Sequence, residues 1–313
     1  MQKTIDVVIP AYNAAAYIGE TVEVIAAQAL PDGWSLSILV SDDGSTDDTA
    51  KLTGELQTAH PALRLVASDQ NTGRSEAINR GVAAGDGSIV LICDADCRFT
   101  SPQTLSGFLE EFDDGKDAVI GFLEMTGEGF WARYTGSVTD ERRDSGASKG
   151  LASYSSANLA VRRSTFEALG GFSDAYSRYG FEDKDFLVRL ETRTAAVAVR
   201  PDLRVRHDDD LSLDAVCRKQ FESGRHSAAV FRSQHPEVYR AMPYARCDAA
   251  LGRLPLIAPL SGPFKALTRL TAGIVLAVPL GFTTRRFFVR VALCAAYFHG
   301  TRLARKDTAE ASS

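Results

Sequence analysis

Four short runs rich in Val, Ile and Leu, at Ile5–Pro10, Leu36–Val40, Leu63–Ala67 and Ile89–Cys93, are separated by segments of helical periodicity. Runs of this kind, with little alternation of polar residues, suit strands buried on both faces, and strands alternating with helices build a parallel sheet of βαβ units. The helices are predicted over Tyr17–Ala29, from Thr46 onward, and near Glu76–Ala84. Ligands of such sheets bind at the carboxyl ends of the strands. All four ends carry polar clusters: Ala11–Asn13, Ser41–Ser45, Asp69–Arg74 and Asp94–Asp96. Packing alone gives no reason for that coincidence, so a ligand crevice is expected there.

Beyond Phe122 the pattern loosens. Thr126–Ser156 shows no sustained period and predicts a long substrate loop or surface segment. Within it Phe130, Trp131 and Tyr134, beside Arg142 and Arg143, form a candidate aromatic platform for a ligand. Order returns with a short helix over Ser164–Leu169, a Gly170-Gly171 break, a helix over Glu182–Thr192, and strands at Val197–Arg200 and Leu203–Arg206.

With 45% hydrophobic and 24% charged residues, the 313-residue chain can fill an α/β core. Its net charge of -5 argues against nucleic-acid binding. The charge is uneven: residues 253–313 hold nine Lys/Arg against Asp307 and Glu310, about +7, which leaves about -12 elsewhere. The apolar runs Leu270–Phe282 and Phe287–Phe298 fall short of the roughly 20 residues a spanning helix needs. They suit helices lying in the interface of an anionic membrane, the alternative being a tail packed on the catalytic domain or on another subunit, so an oligomer stays open. Five scattered cysteines form no CxxC pair and are expected as reduced thiols, and the first ten residues contain no signal-peptide core. Together these features predict a cytoplasmic protein attached peripherally to the inner face of the cytoplasmic membrane.

Asp94-Ala95-Asp96 follows a buried strand directly, so its carboxylates emerge at a strand end. Hard divalent ions, and the diphosphates they neutralise, take such oxygen ligands. Val7-Val8-Ile9-Pro10-Ala11-Tyr12-Asn13, Ser41-Asp42-Asp43-Gly44-Ser45-Thr46-Asp47 and Asp94-Ala95-Asp96 together resemble the family 2 glycosyltransferases, over roughly residues 4 to 210. The resemblance implies an α/β GT-A nucleotide-sugar-binding fold, a mostly parallel central sheet flanked by helices, to which the tail adds a C-terminal helical, membrane-interfacial appendage. It also implies that Pro10 and Tyr12 flank the donor's base, Asp42 accepts from the base N–H, Asp94 meets the ribose and Asp96 binds the metal. Ala11, Asn13, Asp43, Asn71, Arg74 and Ala95 complete the nucleotide-sugar site on the same grounds.

A second cluster runs Asn158-Leu159-Ala160-Val161, Gly170-Gly171-Phe172 and Tyr179-Gly180-Phe181-Glu182-Asp183-Lys184-Asp185. It resembles the acceptor half shared by family 2 enzymes, animal β-1,4-galactosyltransferases and chondroitin-type polymerases, whose acidic pair includes the catalytic base. That likeness implies Asp183 as the base, with Glu182 beside it, and Tyr179, Gly180 and Phe181 as acceptor-binding residues, while Trp131 and Tyr134 of the aromatic platform would suit a sugar or phosphate-bearing acceptor. Those relatives commonly carry Trp-Gly-Gly where this chain has Tyr179-Gly180-Phe181, which leaves donor sugar and acceptor open. His207, at the end of an apolar strand, would complete the metal site, and imidazole with carboxylate suits Mn²⁺ better than Mg²⁺.

The implied reaction is an inverting, single-displacement transfer of a sugar from a nucleotide-diphosphate donor, UDP-sugar favoured, to a hydroxyl of a carbohydrate or lipid-linked acceptor. The rival is a nucleotide-sugar-binding protein of the same fold without turnover. A nucleotidyltransferase or dinucleotide-binding oxidoreductase lacks support, because Ala11–Gly19 has neither a lysine nor the needed glycines. The expected organisation is a donor half over 1–122, an acceptor and catalytic half over 123–240, and a basic amphipathic tail over 241–313.

Overall fold

The computed structural model describes residues 3–125, 128–207, 211–252 and 260–311. The side chains of Arg142 and Arg143 lie outside the described set. The chain divides into two compact units. The first spans Met1–Gly127, Thr135–Ser177 and Asp183–Asp209, and the second Glu128–Tyr134, Arg178–Glu182 and Asp210–Ser313.

The first unit opens with β1 (Lys3–Ala11), α1 (Ile18–Ala26), β2 (Trp34–Asp43), α2 (Thr49–Leu56), β3 (Leu63–Ser68), α3 (Arg74–Ala84) and β4 (Ile89–Cys93). It continues through β5 (Cys97–Phe99), α4 (Thr104–Asp113), β6 (Ala118–Met125), α5 (Phe130–Lys149), β7 (Asn158–Arg162), α6 (Arg163–Ala168), α7 (Glu182–Arg193) and β8 (Val197–His207), with the first residues of α5 and α7 falling in the second unit. All eight strands join one sheet in the order β3-β2-β1-β4-β7-β6-β8-β5. β1 pairs in parallel with β2 and β4, β2 with β3, and β6 with β8. β7 runs antiparallel to β4 and β6, and β5 antiparallel to β8. The βαβ half is therefore parallel, as its sequence predicts, and the later half is mixed.

Alternation along β1 sets the two cores. Ile5, Val7 and Ile9 pack with Ile18, Val22 and Ile25 of α1 and Phe108 of α4, whereas Val8 faces Ile78 and Val82 of α3 and joins Phe172 and Phe186. Asp6 breaks the apolar run of β1 and is fully buried. Its Oδ2 accepts from Gly87 N (2.8 Å) and from the guanidinium of Arg163 (2.7 Å). The same guanidinium donates to Gly87 O and Val82 O, so one ion pair clamps β1, the end of α3 and the start of α6.

Three expectations change. Thr126–Ser156 is not irregular: Phe130–Lys149 is a 20-residue helix. Past its aromatic first turn that helix is polar on every side, so no apolar stripe marks it in the sequence. The two strands expected at Val197–Arg200 and Leu203–Arg206 are one strand, β8. Its register against β6 shifts between Ile120 and Phe122, and that irregularity accommodates Pro201. Finally, Cys247 and Cys294 form a disulfide with Cα atoms 5.5 Å apart, while Cys93, Cys97 and Cys217 are free and buried. The pair is 47 residues apart and brought together only by tertiary packing, which spacing could not show.

The second unit is helical: α8 (Leu213–Glu222), a π-helical turn at Ser223–Ser227, α9 (Ala228–Gln234), α10 (Pro236–Ala241), α11 (Ser261–Ala277) and α12 (Phe282–Ala311). Ala272 of α11 and Ala292 and Ala296 of α12 bury against Cys217 of α8. The tail thus packs one face within its own unit. Among the described residues no helix is long and apolar enough to cross a membrane.

Candidate active site

The polar strand ends of the first unit form a connected set. After β1, Asn13 takes a positive φ of 52°. That turn aims its Oδ1 at Thr46 N (2.8 Å) and its own N–H at Ser45 Oγ (2.9 Å), joining the β1 end to the β2 end. Tyr12, beside it, is half exposed, as a ring flanking a ligand must be. Asp42 is nearly buried, and its carboxylate accepts from Ser45 Oγ and Ser45 N.

Asp43 behaves differently. Thr72 N, Thr72 Oγ1 (2.7 Å), Gly73 N (2.8 Å) and the Arg80 guanidinium (3.1 Å) all donate to its carboxylate. Four donors satisfy an ionised carboxylate. Asp43, expected among the nucleotide-binding residues, therefore shapes the Asn71–Arg74 turn, and its oxygens have no capacity left for a ligand. Gly73, at φ 99°, completes that turn, where an added Cβ would lie 2.7 Å from Ser177 O.

At the β4 end Arg74 donates through Nε (3.1 Å) and NH2 (2.7 Å) to Asp94 Oδ1 and through NH1 to Ser156 Oγ (3.1 Å). Arg74 and Asp94, both assigned to the donor site, are thus held as an ion pair about a quarter exposed. Ala95 is buried, and its carbonyl accepts from Thr21 Oγ1 (2.7 Å), which fixes the turn between the two aspartates.

The antiparallel register of β5 on β8 sets Cys97 opposite His207. His207 Nε2 lies 3.3 Å from Asp96 Oδ2, and Asp96, Cys97 and His207 offer ligand atoms all within 4.8 Å of one another. His207 Nδ1 is buried without a hydrogen-bond partner among the described residues. Burial, helped by the neighbouring Cys93, Asp94 and Asp96, pushes the Cys97 thiol well above its ordinary range. The remaining donors, one carboxylate and one imidazole, fit a hard divalent ion with open positions for phosphate oxygens and water. Neither Cys97 nor Ser156 was legible in the sequence, since both reach the site only through strand pairing and chain return.

The acidic cluster at the start of α7 divides its labour. Asp185 is buried and paired with the Arg189 guanidinium (2.7 and 2.9 Å), which also binds Leu169 O and Gly171 O. Glu182 is buried, and its Oε2 accepts from Gly180 N (2.8 Å). Asp183 is half-buried, and its Oδ1 accepts from Lys184 N (2.8 Å). It makes no ion pair among the described residues.

In the second unit Gly180 has φ 109°, and an added Cβ would lie 2.4 Å from Ser223 Oγ. Phe181 takes a positive φ of 70° and is 3% exposed, stacked on Phe231 at 4.9 Å. Expected as an acceptor contact, it is instead a core anchor, because its backbone turn drives the ring among Phe231, Tyr239 and Tyr244. Tyr179 is half exposed with Lys219 5.9 Å from its ring. Trp131 and Tyr134 cluster with Phe130, whose ring is 5.8 Å from Phe282.

Comparison with known proteins bears on the family and the fold. The profile of glycosyl transferase family 2 matches residues 6–170, and that of the N-terminal domain of galactosyltransferase matches residues 141–208. Glycosyltransferase AglE of Haloferax volcanii is 28% identical over 171 residues, covering 54% of this chain and 55% of AglE. An undecaprenyl-phosphate 4-deoxy-4-formamido-L-arabinose transferase of Salmonella paratyphi A is 25% identical over 210 residues, covering 67% of this chain and 58% of the transferase. The chain thus spans little more than half the length of these curated relatives. Among solved structures, the mannosyltransferase PcManGT from Pyrobaculum calidifontis, in complex with GDP-Man and Mn²⁺, superposes with a TM-score of 0.62 at 22% identity, covering 94% of this chain and 86% of that one. S. aureus TarS 1–349 with UDP-GlcNAc gives 0.57 at 14% identity, covering 97% and 92%. These likenesses show the fold, the GT-A arrangement with added C-terminal helices. Given the profile match over more than half its length, the chain belongs to glycosyltransferase family 2.

Proposed function

We propose that the chain transfers a sugar, with inversion, from a nucleotide-diphosphate donor to a hydroxyl of a carbohydrate or lipid-linked acceptor. The observation that carries this reading is the state of the acids on α7. Asp185 is locked to Arg189 and Glu182 to Gly180 N–H, while Asp183 keeps an oxygen without a partner among the described residues. Asp183 holds and removes the acceptor's proton as its oxygen attacks, a general-base role. On the donor side, Tyr12 lies against the base, Asp42 accepts from its N–H, and Asp94 receives the ribose.

Asp96 and His207 would hold a divalent ion, Mn²⁺ favoured over Mg²⁺, and a metal there supplies positive charge that stabilises the leaving diphosphate. UDP is the favoured nucleotide, consistent with a TarS structure holding UDP-GlcNAc, although PcManGT holds GDP-Man. A lipid-linked acceptor accords with the name of the Salmonella relative.

A panel of UDP-, GDP- and dTDP-sugars tests the reading by thermal shift and by nucleotide release, with Mn²⁺ or EDTA. Stabilisation by one nucleotide class only with metal, lost in Asp96→Ala and weakened in His207→Ala, is the expected result. Donor binding unchanged in EDTA would overturn the metal assignment, and no donor binding at all would overturn the function.

A further inference from the structure

Nine large hydrophobic side chains are conspicuously exposed among the described residues, and seven of them fall between Leu260 and Phe287. The other two are Tyr12 and Tyr179, already placed at ligand sites. Leu260, Leu267, Leu270 and Ile274 are 58–63% exposed, and Phe287 is 61% exposed. Along α11 the outward positions Leu267, Leu270, Ile274 and, just past its end, Val278 follow a helical period, with Ala266 and Gly273 between them. That face carries no charge. The opposite face is also apolar, since Ala272 and Val275 are buried.

The two cations of α11 are engaged within the unit: Lys265 lies over the Phe221 ring (4.7 Å), and Arg269 forms an exposed pair with Asp214 of α8 (2.7 Å). A helix whose outward face is as apolar as its buried one belongs in a core or against lipid, and among the described residues only one face of this helix is covered.

The charge around the exposed face selects its partner. From Ala249 through Lys306 the sequence contains nine Lys/Arg and no Asp or Glu. Arg285 sits at the end of the apolar stripe, its guanidinium donating to Val278 O (2.5 Å), and exposed Arg290 follows on α12. At 17 residues, α11 is about 25 Å long, shorter than a bilayer core of about 30 Å, so it suits lying in the interface and not crossing it. We infer that the outward face of α11, with Leu280 and Phe287, docks in the plane of an anionic lipid bilayer. The inference is independent of the catalytic reading, because none of these residues belongs to the donor or acid clusters.

The test is co-sedimentation of the full chain with vesicles of equimolar phosphatidylglycerol and phosphatidylcholine, and with phosphatidylcholine alone. Binding to the anionic vesicles should be about tenfold or more the tighter, falling with salt. Leu267→Asp, Leu270→Asp and Ile274→Asp combined should weaken it about tenfold or more, with the melting temperature and far-UV spectrum kept, since all three side chains are exposed. A polarity-sensitive dye on Leu270→Cys should shift to the blue on vesicle addition, and one on Lys51→Cys, an exposed position of α2, should not. The proposal is overturned by absent sedimentation, by unchanged binding in the triple variant, or by equal binding to both vesicle types. A reversible dimer in vesicle-free buffer that the triple variant abolishes would overturn it as well, giving the face to a second copy of the chain.

Discussion

Replacing Asp183 with Asn keeps the side chain's shape and its hydrogen bond from Lys184 N but removes the proposed base. Loss of a general base costs roughly 10²–10⁴ in rate. The structure places Asp183 in the lower part of that range. Its carboxylate is only half-buried, so water can take over part of its work. The expected loss in kcat is about 10²–10³, or roughly 3–4 kcal/mol. Donor affinity should stay within a factor of about two, because Asp42, Asp94 and Asp96 stand on other strand ends. Initial rates of nucleotide release at saturating donor, with Kd from titration calorimetry, separate the two effects. The acceptor's chemistry enters directly: a lipid phosphate, with a second pKa of about 6, is already largely ionised at neutral pH and needs no base. A large loss with Asp183→Asn therefore identifies a hydroxyl nucleophile. A wild-type rate on a hydroxyl acceptor would refute the assignment, and collapse of donor binding would move Asp183 into the donor site.

The Asp6–Arg163 clamp is buried, so Arg163→Ala should destabilise by about 3–5 kcal/mol by leaving the Asp6 carboxylate uncompensated, read as a lower urea midpoint with the slope unchanged. Thiol titration of the unfolded chain should give three thiols before reduction and five after, and removing the bond with Cys247→Ser should destabilise the second unit by up to about 4 kcal/mol. Burial, with Lys265, Arg302 and Arg225 nearby, holds His299 below its usual range. Its folded form thus binds a proton less readily than the unfolded chain, so its contribution is complete above about pH 6.5 and is lost as pH falls through the lower folded value. His299→Gln should flatten that acid-side decline in a pH series of thermal melts; an unchanged slope would assign the decline elsewhere.

Much of the donor half was legible in the sequence because its signals are local. A buried strand followed by a polar turn announces both the element and its polar end, and β1 to β4 follow from that alone, whereas the roles of Asp42, Asp94 and Asp96 rest on the resemblance of their motifs. What the sequence did not disclose depends on distant partners. Helix α5 has no apolar stripe, so nothing local distinguishes it from a loop. Cys247 meets Cys294 only because α12 returns past the short helical segment holding Cys247. Phe181 read as a site residue because it adjoins the acids, but its backbone φ of 70° turns the ring into the core, and no pattern of apolar spacing encodes that turn.

Neighbouring carboxylates explain why motif membership and ligand availability diverge. Successive residues of a strand point to opposite faces, so Asp42 and Asp43 cannot share a task. Asp43 meets the Asn71–Arg74 turn and Arg80 and is saturated by them, whereas among the described residues the Asp42 carboxylate takes only the short contacts of Ser45. At the β4 end Asp94 is tied to Arg74, and Asp96, two residues on, faces His207. On α7 the same separation follows helical geometry: Asp185 reaches Arg189 at i+4, Glu182 turns back to Gly180 N–H, and Asp183 lies between them without an ion pair among the described residues. An acid that orders the backbone next to a reactive one keeps the reactive one's position fixed without using its lone pairs. Asp43→Asn should accordingly loosen the Asn71–Arg74 turn and raise the donor's Kd indirectly. It should do so equally for every nucleotide that binds, whereas Asp42→Asn, at the position proposed to meet the base itself, should change the preference among UDP, GDP and dTDP. Equal loss across nucleotides from Asp42→Asn would show that it too is scaffold.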